Sequence, residues 1–161
     1  MSLAHPAARG GTEMAMSGME DRGPEPGDRV RIQIPSHPSY LAFARDTIYR
    51  LSRKYGFSPV HAFDLKLITG EAISNIIKHA YRDKHDRPIF IEVLMFPGYI
   101  EMRFRDKGVQ TPIHAAHGRD LSDYRERGLG IYMIAQLSDY HYYDQSQPIG
   151  TELVVKKRLA P

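Results

Sequence analysis

The segment GEAISNIIKHAY, residues 70–81, carries the most specific pattern in this chain of 161 residues. On an α-helix, Glu71, Asn75 and His79 fall at positions i, i+4 and i+8, so their side chains form one row along the helix. A carboxylate and an amide one turn apart can hold a base and a metal ligand in fixed register. The residues beside the row are apolar and predict that it lies at the edge of a buried face: Leu65, Ile68, Ala72, Ile73, Ile76 and Ala80.

The helix that carries this row has clear boundary signals. Ser58 is a suitable N-cap, and Pro59 occupies the first helical position, where proline is tolerated. We expect this helix to run to about Tyr81. Residues 39–54 have apolar side chains at helical spacing and predict a preceding amphipathic helix, which Gly56 ends.

Alternating apolar and polar residues predict strands on both sides of these helices. Residues 30–35 form a short strand, and residues 89–96 and 99–105 form a hairpin around Pro97-Gly98. In the second hairpin strand Glu101, Arg103 and Arg105 alternate with apolar residues, which predicts one buried face and one face exposed to solvent or a partner.

A second strand pair follows towards the C-terminus. Residues 140–144 and 151–157 surround a turn-like segment, and Gly130 to Leu137 has a helical pattern. The order is therefore strand, helix, helix, hairpin, loop, helix, hairpin. This order predicts an α+β fold, a two-layer sandwich in which helices cover one face of a mostly antiparallel mixed sheet.

Composition limits the class of protein. The hydrophobic content of 42% and charged content of 25% are ordinary for one globular domain of this length. Residues 1–27 are rich in Gly, Pro, Ala and Met without hydrophobic period, so we expect a disordered tail before a folded domain at residues 28–161.

Several kinds of site and partner are disfavoured by the same composition. The absence of cysteine excludes disulfides and thiolate zinc sites and fits a cytoplasmic protein. No apolar run reaches the roughly 18 residues of a membrane span, and no secretory signal is visible. The net charge of +3 comes from scattered basic residues, so we expect no direct nucleic-acid binding.

Two further features follow the helical row in the sequence. Asp106-Lys107-Gly108 stands where the first hairpin ends, and an Asp there can accept a hydrogen bond from an exocyclic amine such as that of adenine. The glycine beside it lets a flat ring approach the backbone. Arg127-Gly128-Leu129-Gly130 opens a predicted helix, whose N-terminal N–H groups suit phosphates. Between them, about twenty residues of loop are typical of a lid or binding loop.

Together these motifs resemble those of a GHKL (histidine-kinase-like) ATP-binding domain, with the Bergerat-type fold, and most of all the bacterial anti-sigma-factor serine/threonine protein kinases. GEAISNIIKHAY is similar to the N-box of that family, DKG to its adenine-binding box, and RGLGIYMI to the glycine box after the ATP lid. Gly150-Thr151 resembles the Gly-Thr pair before the last strand. The resemblance covers residues 28–158, which is nearly all of the expected folded domain.

The resemblance implies roles for individual residues in binding ATP or ADP with Mg²⁺. Glu71 is then the general base and Asn75 the Mg²⁺ ligand. The remaining implied contacts are adenine binding by Asp106, the ring pocket at Gly108, phosphate contacts at Gly128 and Gly130, and a bond near adenine or phosphate from Thr151.

The resemblance also implies partners. In that family, the kinase transfers phosphate to a serine of an anti-anti-sigma (STAS-type) protein, binds a sigma factor and forms homodimers. One position departs from the family pattern: Gln110 stands where the adenine box usually has its second glycine, and a side chain there can crowd the pocket. This departure keeps open a catalytically silent module that senses nucleotide or only binds proteins, and an ATPase with another partner is also compatible with the motifs.

Two residues of these motifs have simpler interpretations. His79 is more often a packing or hydrogen-bonding residue than a ligand, and a zinc site is disfavoured because no second histidine lies one turn away. Arg127 is interpreted as an exposed charge on the lid. Asn75 is different, because Asn is a poor residue for a helix interior and its presence there indicates a purpose.

Overall fold

The computed structural model describes residues 23–112 and 128–159. Its five strands are β1 (Arg29–Pro35), β2 (Pro88–Phe96), β3 (Tyr99–Arg105), β4 (Tyr140–Asp144) and β5 (Glu152–Arg158). They form one sheet in the order β1-β2-β3-β5-β4, and all four pairings are antiparallel. The predicted α+β sandwich is confirmed, and no parallel pair occurs among the described strands.

Three α-helices complete the described fold: α1 (Leu41–Tyr55), α2 (Pro59–Asn75) and α3 (Gly128–Leu137). A single 3-10 turn, Pro38–Tyr40, precedes α1, and a π-helix, Ile76–Ala80, continues α2. Most of the expected N-terminal tail, most of the expected lid and Arg127 lie outside the described residues.

The helix boundaries follow the local signals in the sequence. The side chain of Ser58 accepts a hydrogen bond from the backbone N–H of His61, so it caps α2 as predicted. Gly56 ends α1 in the left-handed conformation, with a φ of 108°, and its N–H returns to the carbonyls of Ser52 and Arg53. The two caps lie in the short connection between α1 and α2, which pack against each other.

The hydrophobic core lies between the sheet and the helices. Helix α2 packs between α1 and α3, so apolar residues occupy several sides of it rather than one narrow stripe. The strands contribute every second residue to this core, as their pleat requires. Fully buried members from the sheet and helices include Ile89, Ile91, Val93, Ile100, Met102, Phe104, Leu65, Ile68, Ile73 and Ile134.

The opposite face of the sheet is more covered than the sequence predicts. Glu101 of β3, expected on an exposed face, retains only 4% of its surface in contact with solvent. Arg103 Nη2 lies 2.6 Å and Lys156 Nζ 3.2 Å from its carboxylate, and the lysine also lies over the rings of Tyr99 and Tyr140. Arg103 of the same strand and Lys156 of the neighbouring strand β5 therefore cover this carboxylate, and the contribution of β5 is not revealed by alternation within β3.

The end of the motif helix also differs from the prediction. The regular α-helix ends at Asn75, and the backbone N–H of Tyr81 donates to the carbonyl of Ile76, five residues earlier. This wider winding places His79 off the i+4 spacing that joins Glu71 to Asn75. The predicted row therefore has two members with regular spacing. None of the helices in the described part of the chain is long and apolar enough to cross a membrane.

Candidate active site

The end of α2 and the beginning of α3 meet at the two polar residues of the motif. Glu71 and Asn75 are half-buried, and Gly130 of α3 packs directly against both. A Cβ added at Gly130 would lie 2.5 Å from Glu71 Oε2, 3.5 Å from Asn75 Oδ1 and 3.6 Å from Asn75 Nδ2. The structure thus joins three predicted site residues, and the close approach requires glycine at position 130.

Asp106 lies at the end of β3 with only 3% of its surface exposed. Its Oδ1 accepts a hydrogen bond of 2.8 Å from the N–H of Gly108. Burial raises the pKa of this carboxyl above its usual value, while backbone hydrogen bonds from Gly108 and Thr151 and the charge of Arg105 lower it by less. A buried carboxylate with bonding capacity left is a suitable acceptor for a heteroaromatic amine.

Gly108 is held close to the end of the motif helix. A Cβ at this position would overlap the carbonyl of Ala80, to which the next residue, Val109, donates a backbone hydrogen bond of 3.0 Å. The hydroxyl of Tyr81 accepts from the N–H of Lys107 at 2.8 Å and donates to the carbonyl of Pro88. The predicted adenine box is therefore fastened to the π-helix, and the missing side chain of Gly108 makes this contact possible.

Thr151 lies beside Asp106 and directly precedes β5. Its carbonyl accepts from the N–H of Asp106 at 3.1 Å, and its Oγ1 accepts from Gln145 Nε2 at 3.1 Å. The same amide group of Gln145 donates to the carbonyl of Thr111 at 3.0 Å. These bonds connect Thr111, which follows Asp106 in the chain, to the β4–β5 connection that contains Gln145 and Thr151.

Gln110, the departure from the family pattern, is directed into the β4–β5 connection. Its Nε2 lies 3.2, 2.7 and 2.8 Å from the carbonyl oxygens of Gln145, Gln147 and Gly150, respectively. An amide nitrogen has two protons, so it shares them among three acceptors. The side chain therefore stabilises this turn, and the described contacts give it a structural role at the position usually held by glycine.

Lys157 of β5 anchors the other end of α3. Its Nζ lies 3.0 Å from Asp64 Oδ2 of α2 and donates to the carbonyl of Leu137, the last residue of α3, at 2.7 Å. The lysine is 9% exposed, so this ion pair is largely shielded from water. A cation at a helix C-terminus is also favourable for the helix dipole. The anchor sets the position of α3 and, through it, of Gly130.

The oxygen donors where α2 meets α3 fit a Mg²⁺ ion that is also bound by the phosphates of a nucleotide. Mg²⁺ prefers oxygen ligands and commonly takes one or two from the protein, with water and phosphate oxygens completing its octahedron. The amide oxygen of Asn75 and the carboxylate of Glu71 are the available hard donors here. Within residues 23–112 and 128–159, no group of three or more His, Cys, Asp or Glu forms a metal site of its own.

The sequence motifs contain the residues that meet at the site but not the residues that hold these in position. Gln145 and Lys157 lie outside the motifs, and their partners include Thr111 and Asp64, which are distant in the chain. Gln110 was visible as a departure from a pattern, although the direction of its side chain was not. Tyr81 closes the quoted motif, yet its hydrogen bond to Lys107 depends on the fold.

Comparison with known proteins places this geometry in context. Residues 34–157 match a family profile described as histidine kinase-like ATPase domain. The serine-protein kinase RsbW of Listeria monocytogenes is 30% identical over 142 residues, covering 82% of this chain and 88% of its own length. RsbW of Oceanobacillus iheyensis is 29% identical over 120 residues, covering 70% and 76% of the two chains.

Solved structures share the fold at lower identity. The RsbU and RsbW domains of a Mycobacterium tuberculosis protein superpose with a TM-score of 0.61 at 14% identity, over 83% of this chain and 32% of the longer one. A chain of the SiaB–SiaC complex from Pseudomonas aeruginosa gives a TM-score of 0.57 at 15% identity, over 80% and 87% of the two chains. At such identities the likeness concerns the fold alone.

Proposed function

The chain belongs to the histidine kinase-like ATPase domain family, and from this premise we propose that it is an ATP- and Mg²⁺-dependent protein serine/threonine kinase that acts as an anti-sigma factor. Its relatives named serine-protein kinase RsbW support the kinase activity. The observation that carries the proposal is the meeting of Glu71, Asn75 and Gly130, because it joins a carboxylate, an amide oxygen and a helix N-terminus.

Each part of this arrangement has a task in phosphoryl transfer. Glu71 accepts the proton of a serine hydroxyl on the partner while that oxygen attacks the γ-phosphorus, and the bond to the leaving ADP breaks. Asn75 would hold Mg²⁺, which would neutralise phosphate charge at the site. The backbone at Gly128 and Gly130 provides N–H groups towards the phosphates at the positive end of α3. Asp106, Gly108 and Thr151 hold the adenine ring.

The proposed partners are those that the resemblance to anti-sigma-factor kinases implies. An anti-anti-sigma protein of the STAS type receives the phosphate on serine, and the kinase also binds a sigma factor. We place this activity in the cytoplasm, in a homodimer whose kinase domain spans residues 28–161.

The alternative is a catalytically silent module of the same fold. Its support in the sequence is Gln110, since a side chain at this position can crowd the adenine pocket. The carboxamide of Gln110 is instead engaged with the carbonyls of Gln145, Gln147 and Gly150. This geometry favours the kinase, because the Gln110 side chain makes its hydrogen bonds apart from those of Asp106.

The proposal is tested by phosphate transfer to a purified STAS-type partner encoded in the same genome. Labelled ATP and Mg²⁺ should give a phosphoserine on the partner. Glu71→Gln should lower the transfer rate by about 10² to 10⁴, the usual contribution of a general base, while ADP binding persists. Asp46→Asn, which removes an exposed carboxylate from α1, is the matched control. ADP binding without transfer by the wild-type protein would instead establish the silent module.

A further inference from the structure

A cavity of about 540 Å³ lies beyond the end of the motif helix. Three segments surround it: residues 80–87 after the π-helix, residues 107–110 after Asp106, and Pro148-Ile149 in the β4–β5 connection. Its walls include Gly108 but none of Glu71, Asn75, Asp106, Gly130 and Thr151. The cavity is therefore a neighbour of the proposed nucleotide site that shares one residue with it.

Four cationic side chains line this cavity: Arg82, Lys84, Arg87 and Lys107. No carboxylate is among its described lining residues. The acidic residue closest in sequence to Arg87 is Asp86, whose Oδ1 lies 3.5 Å from Arg87 Nε with 80% of its side chain exposed. Such a solvent-exposed contact neutralises little of the positive charge. The cavity thus concentrates positive charge that the described fold leaves largely uncompensated.

The loop that supplies three of these cations is held rigidly by buried Ser36. The Ser36 backbone N–H donates to the carbonyl of Arg87 at 2.7 Å, its hydroxyl donates to the carbonyl of Lys84, and its Oγ accepts from the N–H of Arg87 at 3.0 Å. The N–H of Asp83 donates to the carbonyl of Ile77. The backbone is fixed while the cationic side chains remain exposed, which is the arrangement of a preorganised site.

The same loop contains backbone strain. Arg82 and Asp83 have φ values of 51° and 59°, in the left-handed region that residues other than glycine adopt at a cost. Two consecutive residues in this region persist because the surrounding bonds determine the loop, and such strain concentrates at functional positions.

The remaining wall is apolar. Val109 and Ile149 retain 48% and 62% of their surfaces in solvent, and Pro148 lies beside them. A volume within the usual range of small-molecule pockets, lined by cations together with apolar residues, fits an organic molecule that carries phosphate groups. Cations converging on one space suit a compact polyanion better than an extended chain, whose charges would need a stripe.

We propose that this cavity is a second ligand site, which binds a small phosphate-bearing molecule through Arg82, Lys84, Arg87 and Lys107. Gly108 joins it to the nucleotide site, because the N–H of this residue donates to Asp106 Oδ1. A ligand in the cavity and an adenine bound by Asp106 would therefore both contact the short segment of residues 106–108. The site does not depend on kinase activity.

The test measures the binding of pyrophosphate, as the probe, to the full chain by isothermal titration calorimetry in the absence of Mg²⁺. Lys84→Gln/Arg87→Gln should weaken pyrophosphate binding by about tenfold or more, since each charge-assisted hydrogen bond contributes on the order of a tenfold change in affinity. Arg50→Gln, which removes an exposed cation from α1, is the matched control and should leave it unchanged. Pyrophosphate should still bind when ADP saturates the nucleotide site, and ADP binding by the double variant verifies its fold.

Equal affinity in the wild-type and double-variant proteins would overturn the proposal, as would an absence of pyrophosphate binding to the wild-type protein. Loss of pyrophosphate binding when ADP saturates the nucleotide site, with retention in the double variant, would assign the probe to the nucleotide site and also overturn it. A phosphoserine peptide is the final arm. Binding of that peptide without pyrophosphate would replace the small-molecule site with a protein-docking site.

Discussion

The carboxylate of Glu71 lies directly against the Cα of Gly130, so that a methyl group on the glycine would come within 2.5 Å of Oε2. This contact joins the end of α2 to the first turn of α3. It makes the position of the proposed base dependent on a helix that lies more than fifty residues later in the chain. The consequences can be measured at both partners and at the residues that hold them.

Gly130→Ala should impair phosphate transfer more than it impairs folding. The added methyl group displaces the flexible end of Glu71, and a displacement of about 1 Å at a reacting group costs on the order of 100-fold in rate. Single-turnover transfer and thermal unfolding together measure this difference. Gln136→Ala, an exposed position of the same helix, is the control. A wild-type rate in Gly130→Ala would show that Glu71 is not the base.

Asn75→Ala should remove the part of ATP affinity that depends on Mg²⁺. The amide oxygen is the proposed protein ligand, so ATP binding with Mg²⁺ should fall to the level measured in EDTA. Calorimetric titrations of ATP under both conditions give this ratio. Ser74→Ala, one residue earlier on α2, should keep the wild-type ratio. An unchanged ratio in Asn75→Ala would exclude the amide as a ligand.

Asp106→Asn should change the dependence of stability on pH. Burial raises the folded pKa of Asp106 above the usual 3.8, so the protonated form contributes stability that is fully present below the unfolded pKa. This contribution is lost as the pH rises through the folded pKa. Relative to the Asn variant, the wild-type melting temperature should therefore decrease as the pH rises from about 4 through the folded pKa. A melting-temperature difference that is constant over this range would contradict the raised pKa.

Gln110→Ala should loosen the β4–β5 connection. Loss of the shared hydrogen bonds to three carbonyls is expected to lower the free energy of unfolding by about 1 to 2 kcal/mol. Amide exchange at Gly150, whose N–H donates to the carbonyl of Gly108 at 3.1 Å, should become faster. Gln33→Ala on exposed β1 is the control. Unaltered exchange would mean that Gln110 does not hold the turn.

Lys157→Met should lower the free energy of unfolding by about 2 kcal/mol, because it leaves Asp64 without its partner in a shielded position. Lys66→Met provides a matched comparison, since its pair with Asp46 is more exposed and is expected to contribute about 0.5 kcal/mol. Denaturant unfolding gives both values. The double variant Asp64→Asn/Lys157→Met should lose less than the sum of the single changes. Additive losses would show that the pair does not interact.

Much of the fold could be predicted because its signals are local. Ser58 and Gly56 cap helices through their own backbone neighbourhood, and the strand alternation around Gly98 specifies a hairpin within a few residues. The π-helix at residues 76–80 was not predicted, since an apolar helical pattern does not distinguish windings that differ by one residue per hydrogen bond. Its wider turn is accompanied by bonds to residues far along the chain, including Val109.

The sequence by itself determined the element types, their order and the residue types that an ATP site needs, because periodicity, capping and motif spacing act over short stretches of chain. Only the tertiary structure decided which of those residues meet. The approach of Gly130 to Glu71, the direction of Gln110 and the pairing of Lys157 with Asp64 each join segments distant in the chain. Such contacts depend on how the helices pack on the sheet, and the free energy of that packing belongs to the whole core rather than to any local pattern.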